Sequence, residues 1–350
     1  MGGHDAWQLP VGRVLLTGLA AWQRRRLKLP SPTDVKPMAW SRRQLVVAGV
    51  QWRMEPVRAL DAWVDRLMAV LDEAHHLGAA LVVFPEDMAT PLLGLLTERV
   101  GTPSAAQLSD AEVGERLRAW ADAVAPVYRD IFGYLARLYG LVIVAGSQLA
   151  TVRGRFHNQA LVFGPDGRLV HRQPKLHPLP LERRWGVDPG TEWHRVPGVT
   201  LPLGVAVCHD ASFFETFRLA AAQGVELMAI PIADPDPDWR EAKARRGAWA
   251  RTQESGLPTV VGAGTGSLYG LTLTGKAGVY VPRELTADGS GVRAESEHPV
   301  GEGLSAGVLD LEQLAAFRAE ARSGMPTRAV GRWMEAGYRA LVEAVMGSAP

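Results

Sequence analysis

From Gln44 onward, short unbroken apolar runs alternate with longer segments of helical period, and this alternation leaves few folds open. Leu45-Val46-Val47-Ala48-Gly49-Val50-Gln51 reads as a buried strand, as do Leu81-Val82-Val83-Phe84 and Leu141-Val142-Ile143-Val144-Ala145-Gly146. Strands apolar throughout belong in sheets covered on both faces. Between the first two, Val57, Leu60, Val64, Leu67, Met68 and Leu71 recur at helical spacing, and Gly78 supplies the stop. A long helix is expected over about 110–139, ended by Gly140. Residues 158–163 and 168–171 read as a hairpin around Gly164-Pro165-Asp166-Gly167.

Further on, a run ending at Val207 reads as a strand, 214–223 as a helix and 227–230 as a strand. A Pro/Asp-rich loop over 231–238 leads to a helix over 239–255 and a strand opening at Thr259. Strands are expected near 277–281 and 304–309, a loop over 287–298, and a closing helix over about 327–346. The whole is a layered α/β pattern. It is expected as one domain over residues 44–312, with an extension over 1–43 and a helical tail over 313–350.

Composition narrows the function classes. The chain of 350 residues is 47% hydrophobic and 21% charged, enough apolar content for a sizeable core. A net charge of +1 with interspersed signs offers nucleic acid no basic face. A single cysteine excludes an intramolecular disulfide and a Cys-based zinc cluster. No run approaches the roughly 18 apolar residues of a membrane helix. The apolar stretch over 11–22 is followed, not preceded, by Arg24-Arg25-Arg26, the reverse of a secretory signal. It reads as an amphipathic arm against the domain or a partner subunit, in a cytoplasmic protein, with a membrane-surface helix as the alternative.

The lone cysteine, Cys208, closes the run Leu203-Gly204-Val205-Ala206-Val207 and precedes a helix. A strand-to-helix turn presents a nucleophile beside free backbone N–H groups. Taken alone, it reads more readily as a small buried hydrophobe than as a catalyst. Its company changes the reading: Phe84-Pro85-Glu86 upstream, and Pro174-Lys175-Leu176-His177 between. Amide carbonyls are poor electrophiles, so a thiolate attacker, a base to generate it and a cation for the oxyanion form a coherent set. Each residue also has a blander role: Glu86 as a cap after Pro85, Lys175 as a solvated lysine, Glu182 paired with Arg183-Arg184, and Asp210 as a cap.

Gln51, FPE at 84–86, AGS at 145–147, PKLH at 174–177 and CHD at 208–210 occur in one order. That order resembles the nitrilase, or carbon-nitrogen hydrolase, superfamily over about residues 44–309. Asn158-Gln159-Ala160-Leu161-Val162-Phe163 and Glu215 with Arg218 add to the likeness. The resemblance implies a four-layer αββα sandwich, extended across a homodimer or higher oligomer, and a Cys-Glu-Lys site without cofactor or metal. Glu86 then corresponds to the base, Lys175 to the lysine, Cys208 to the nucleophile and Glu182 to a second glutamate. The His209 backbone N–H would share the oxyanion with Lys175. Trp185, His209 and Phe214 are expected to touch substrate; His209 and Phe214 stand where relatives often carry Tyr or Trp and Pro.

Cys-His-Asp, where nitrilases commonly read Cys-Trp-Glu, leans toward a small amide. Nitrile or N-carbamoyl amine hydrolysis, acyl transfer, and a catalytically weak binding or regulatory protein are the alternatives. Arg183, Arg184, Arg240 and Lys243 are available to a substrate carboxylate. A Cys-His dyad with His177 or His209 is a lesser alternative, since His177 has no orienting partner legible in the sequence. The nine histidines show no His-x-x-x-His spacing. Gly262, Gly264 and Gly266 lack the dinucleotide fingerprint spacing.

Overall fold

The computed structural model describes residue 25 and residues 36–95, 109–320 and 332–347. The arm expected over 11–22, and the start of the closing helix, lie outside the described residues. The first half comprises β1 (Leu45–Met54), α1 (Leu60–His76), β2 (Leu81–Val83), α2 (Asp110–Tyr139), β3 (Val142–Val152), β4 (Arg155–Phe163), β5 (Leu169–Pro174) and α3 (Pro180–Arg184). The second comprises β6 (Leu203–Val205), α4 (Phe214–Ala222), β7 (Leu227–Ile232), α5 (Glu241–Ala244), α6 (Ala250–Ser255), β8 (Thr259–Leu268), β9 (Leu271–Leu273), β10 (Gly278–Tyr280), β11 (Val292–Glu295), β12 (Gly303–Leu309), α7 (Leu311–Ala319) and α8 (Arg332–Gly347).

The strands run in the order β11-β10-β8-β1-β2-β3-β4-β5, with β12 on β1, β7 on β8, β6 on β7 and β9 on β8. β1 is the hinge of this path: it pairs parallel with β2 at one end and with β8 at the other. Period-two alternation then sorts its side chains. Val50, Trp52 and Met54 join α1 and α2 in one apolar cluster, whereas Leu45 and Val47 join a second. Likewise Leu227 and Ala229 of β7 face that second cluster, and Met228 and Ile230 face a third with Phe217 and Ala220 of α4. The second cluster lies between strands β1–β4 on one side and β6–β8 with β10 on the other. These three clusters are consistent with the helix–sheet–sheet–helix order expected from the resemblance.

Local signals explain most boundaries. Ser109 and Glu112 form a reciprocal capping box at the start of α2, and Gly140, with φ +65°, ends it in the left-handed region. Asp310 caps α7, whose Leu311 and Leu314 are buried in the second cluster. This helix spans residue 312, where the sequence suggested a boundary.

Two segments depart from expectation. The loop expected over 287–298 contains β11, a short strand with little apolar pattern of its own that owes its conformation to pairing with β10. The continuous helix expected over 239–255 is broken. Between α5 and α6, residues Arg245–Trp249 form a π-turn in which Gly247 takes φ −89°, ψ −118°. A glycine reaches that conformation because it has no Cβ. Among the described residues, no helix is long and apolar enough to cross a membrane.

Candidate active site

Glu86 stands just past the end of β2. Phe84 anchors that strand end edge-on to Trp52 and Phe132, and Pro85 stops the ladder. Gly146 in β3 shapes the turn from below. Its φ is +69°, and a Cβ there would fall 1.7 Å from the Pro85 carbonyl oxygen. Only glycine lets β3 pass this close beneath the segment that carries Glu86.

Lys175 follows Pro174 at the end of β5, and its N–H donates to the Asn158 carbonyl at 2.8 Å. Its ammonium donates to Glu86 Oε1 and to Glu182 Oε2, each at 2.7 Å. Asn158, from β4, spans the same two carboxylates: its Nδ2 lies 2.9 Å from Glu86 Oε1 and 2.9 Å from Glu182 Oε1. Glu182 owes its position to the start of α3, where its Oε2 also accepts from the Leu179 N–H at 2.6 Å. The ion pair of Glu182 with Arg183-Arg184 considered from sequence does not form. Arg184 instead pairs with Asp110, and Arg183 donates to the Pro178 carbonyl.

Cys208 opens a 3-10 turn, Cys208–Ser212, with φ +48°. A left-handed conformation in a non-glycine residue costs on the order of 1–3 kcal/mol and persists only where its surroundings hold it. The thiol lies beside the Glu86 carboxyl group, whose Oε2 accepts from the Ala233 N–H at 3.3 Å. Because the turn begins here, the N–H groups of its first residues find no acceptor within it. Asp210 does more than cap: it is fully buried and accepts from Leu176 and His177 as well as from Val207. His177 thus has the orienting partner that the sequence did not reveal, with Nδ1 2.9 Å from Asp210 Oδ1.

The electrostatics follow from burial. Glu86 is 2% exposed and Lys175 1%. Burial raises the Glu86 pKa, opposed by the Lys175 charge and reinforced by Glu182. Burial alone would lower Lys175, but the charges of Glu86, Cys208 and Glu182 outweigh it and hold the ammonium well above the ordinary lysine range. Burial and the adjacent Glu86 push the Cys208 thiol well up, against the pull of Lys175. Both effects favour the protonated thiol, with the Glu86 carboxyl group beside it. Asp87, pushed well up by burial and by Glu86 and Glu182, favours its neutral form beside them.

Cys208 faces a cavity of about 260 Å³. Ile230, Ile232 and Val261 supply apolar wall, and Trp239, Arg240 and Arg246 stand among the polar lining. His209 lines it too, whereas Trp185 and Phe214, both expected to touch substrate, are not among its lining residues. Phe214 stands partly exposed under the Arg218 guanidinium, and Trp185 forms the C-cap of α3. Of the cations offered to a substrate carboxylate, Arg240 lines the cavity; the Lys243 side chain lies outside the described residues. Gly262 and Gly264 sit inside β8, where a Cβ on Gly262 would meet the Val83 carbonyl at 2.5 Å; their role is close packing.

The model for carbon-nitrogen hydrolases matches residues 46–272 of this chain. The chain belongs to the carbon-nitrogen hydrolase family. It is 30% identical to an (R)-stereoselective amidase of Pseudomonas sp. over 245 residues, covering 69% of this chain and 76% of that one. It is 26% identical over 270 residues to the probable hydrolase YhcX of Bacillus subtilis, covering 76% of this chain, and it spans about half (50%) of that protein's length. Among solved structures, Saccharomyces cerevisiae Nit3, a member of branch 10 of the nitrilase superfamily, is 19% identical. It superposes with a TM-score of 0.62 over 83% of this chain and 99% of its own, a likeness of fold.

Two groups of the candidate site were not legible in the sequence. Asn158 appeared only as part of a supporting motif, and the backbone N–H of Ala233 not at all. Asn158 carries a weak signal, one of three consecutive polar residues, His157-Asn158-Gln159, in a strand that ends apolar; Ala233 carries none, because its contribution is a main-chain donor delivered by β7.

Proposed function

We propose that this chain hydrolyses a small non-peptide amide through a thioester on Cys208. The observation that carries the reading is a buried Glu86 beside the Cys208 thiol, with its Oε1 held by the Lys175 ammonium. Glu86 takes the thiol proton as Sγ attacks the amide carbonyl. The Lys175 ammonium and the His209 N–H stabilise the oxyanion, each donor of this kind being worth about 3–4 kcal/mol of barrier. Glu86 then returns the proton to the leaving nitrogen as the C–N bond breaks. Water, deprotonated by Glu86, attacks the thioester, and the carboxylic acid leaves as the thiol re-forms. Glu182 and Asn158 hold Lys175 and Glu86 in register throughout.

The cavity favours a small substrate, since ligand pockets commonly run from roughly 300 to 1,000 Å³ and this one lies just below that range. The relationship to an (R)-stereoselective amidase supports an amide as substrate. The test is ammonia release from a panel of primary amides, nitriles and N-carbamoyl amines, wild type against Cys208→Ala. Release by wild type alone from amides is expected; equal release by Cys208→Ala overturns the thioester.

A further inference from the structure

Asp210 lies two residues past Cys208 and is fully buried. Its Oδ1 accepts from the His177 N–H at 2.8 Å and faces His177 Nδ1 at 2.9 Å. Its Oδ2 accepts from the Leu176 N–H at 3.1 Å and the Val207 N–H at 3.3 Å, while its own N–H donates to the Val207 carbonyl at 3.0 Å. One carboxyl group thus grips the residue before the nucleophile and the two residues after Lys175.

The topology makes this grip consequential. β5, which delivers Lys175, ends the strand order on one side, and β6, which delivers Cys208, hangs from β7 on the other branch. Along the ladders the two segments are joined only through β4, β3, β2, β1, β8 and β7. Small errors in each pairing would accumulate over that route, yet Lys175 and Cys208 must act on one carbonyl. The Asp210 bonds span the gap directly. A second link reinforces them: the His177 ring stacks on Phe213 at 3.9 Å between centroids, with 19° between planes. The same carboxyl group brackets Cys208 from Val207 to Asp210 and so holds the left-handed turn.

We propose that Asp210 is a positioning residue of the hydrolytic site, setting the Lys175 ammonium and the Cys208 thiol in one frame, with His177 as its partner. This rests on the reading of Cys208 as nucleophile. Asp210 touches no reacting atom; it acts through the two backbones that carry them.

The test uses the full chain with Asp210→Asn, His177→Ala, the double variant and Cys208→Ala. The asparagine keeps one oxygen and sets an NH₂ group against backbone donors at the other. The readouts are kcat and KM on the best amide, the rate of Cys208 alkylation by iodoacetamide, and thermal melting. Asp210→Asn is expected to lower kcat about a hundredfold, the scale of a 1 Å misplacement, with KM little changed and alkylation slowed. His177→Ala lowers kcat less, and costs less in the Asp210→Asn background than in the wild type, because part of its effect works through the same group. A role confined to stability would lower the melting temperature and leave the folded enzyme's kcat and alkylation rate at wild-type values; that result overturns the proposal. Should Asp210→Asn fail to fold, His177→Ala decides, with lowered kcat at constant KM in support and wild-type kcat against. Turnover surviving in Cys208→Ala would instead bring down the nucleophile reading itself.

Discussion

Lys175 Nζ stands 2.7 Å from Glu86 Oε1, and both residues are almost wholly removed from solvent. With Glu182 at the same distance on its other side, this ammonium pairs with two carboxylates at once. Removing it leaves like charges in a confined site, which fixes both a stability and an activity prediction.

Lys175→Ala is expected to abolish turnover and to destabilise the fold by about 3–5 kcal/mol, the usual result of breaking one side of a buried ion pair. Lys175→Met with Glu86→Gln should recover much of that stability and none of the activity. Melting curves with parallel assays check this; a stable, folded Lys175→Ala would show that Glu86 does not need its cation.

The pH dependence follows from the shifts. Glu86 is raised, so on acidification it accepts a proton earlier than a free glutamate does, and a protonated Glu86 takes no proton from the thiol. Activity is present above that raised pKa and lost as pH falls through it. The acid limb of kcat/KM is therefore expected above the ordinary value of about 4.3. Lys175 is raised as well, so its loss sets no alkaline limb below its ordinary value near 10.4. A profile from pH 4 to 10 tests both limbs; an acid midpoint at or below the free glutamate value contradicts the assignment.

Asn158→Leu removes the Nδ2 donor shared by Glu86 and Glu182. The buried Glu86 loses a partner at about 1–3 kcal/mol, and the part-buried Glu182 loses one at a smaller cost. The expected result is a kcat loss of tenfold or more together with a lower melting temperature. Unchanged kinetics in a folded Asn158→Leu would remove Asn158 from the site's support.

Gly146→Ala tests the fold's hold on Glu86. The new Cβ would overlap the Pro85 carbonyl, and the residue would sit at positive φ. A loss on the order of 3 kcal/mol and a depressed kcat are expected, since relief of the clash must move the Pro85-Glu86 segment. Full activity in this variant would show that the turn relaxes without moving Glu86.

Glu86 and Cys208 were legible as candidates because each sits just past the end of an apolar run, which can be read locally; Lys175, after Arg172-Gln173-Pro174, was legible only through its motif. The strands around them, 45–51, 81–84 and 141–146, follow from unbroken apolar runs, and α2 from its helical period and closing glycine. The broken helix near Gly247 and the strand β11 were not legible: one depends on a glycine escaping helical geometry, the other on a neighbour's ladder.

The sequence by itself determined most of the strands and helices, and which chemical groups stand at their ends, because propensity and periodicity act over a few residues. Only the tertiary structure decided that Asn158 spans two carboxylates, that Ala233 donates to Glu86, that Asp210 ties Leu176 and His177 to the nucleophile turn, and that Trp185 and Phe214 lie off the cavity wall. Those outcomes join groups from 24 to 147 residues apart. Their partners are chosen by strand register and by the obligation of every buried polar group to find one, and neither is written in any local stretch of the chain.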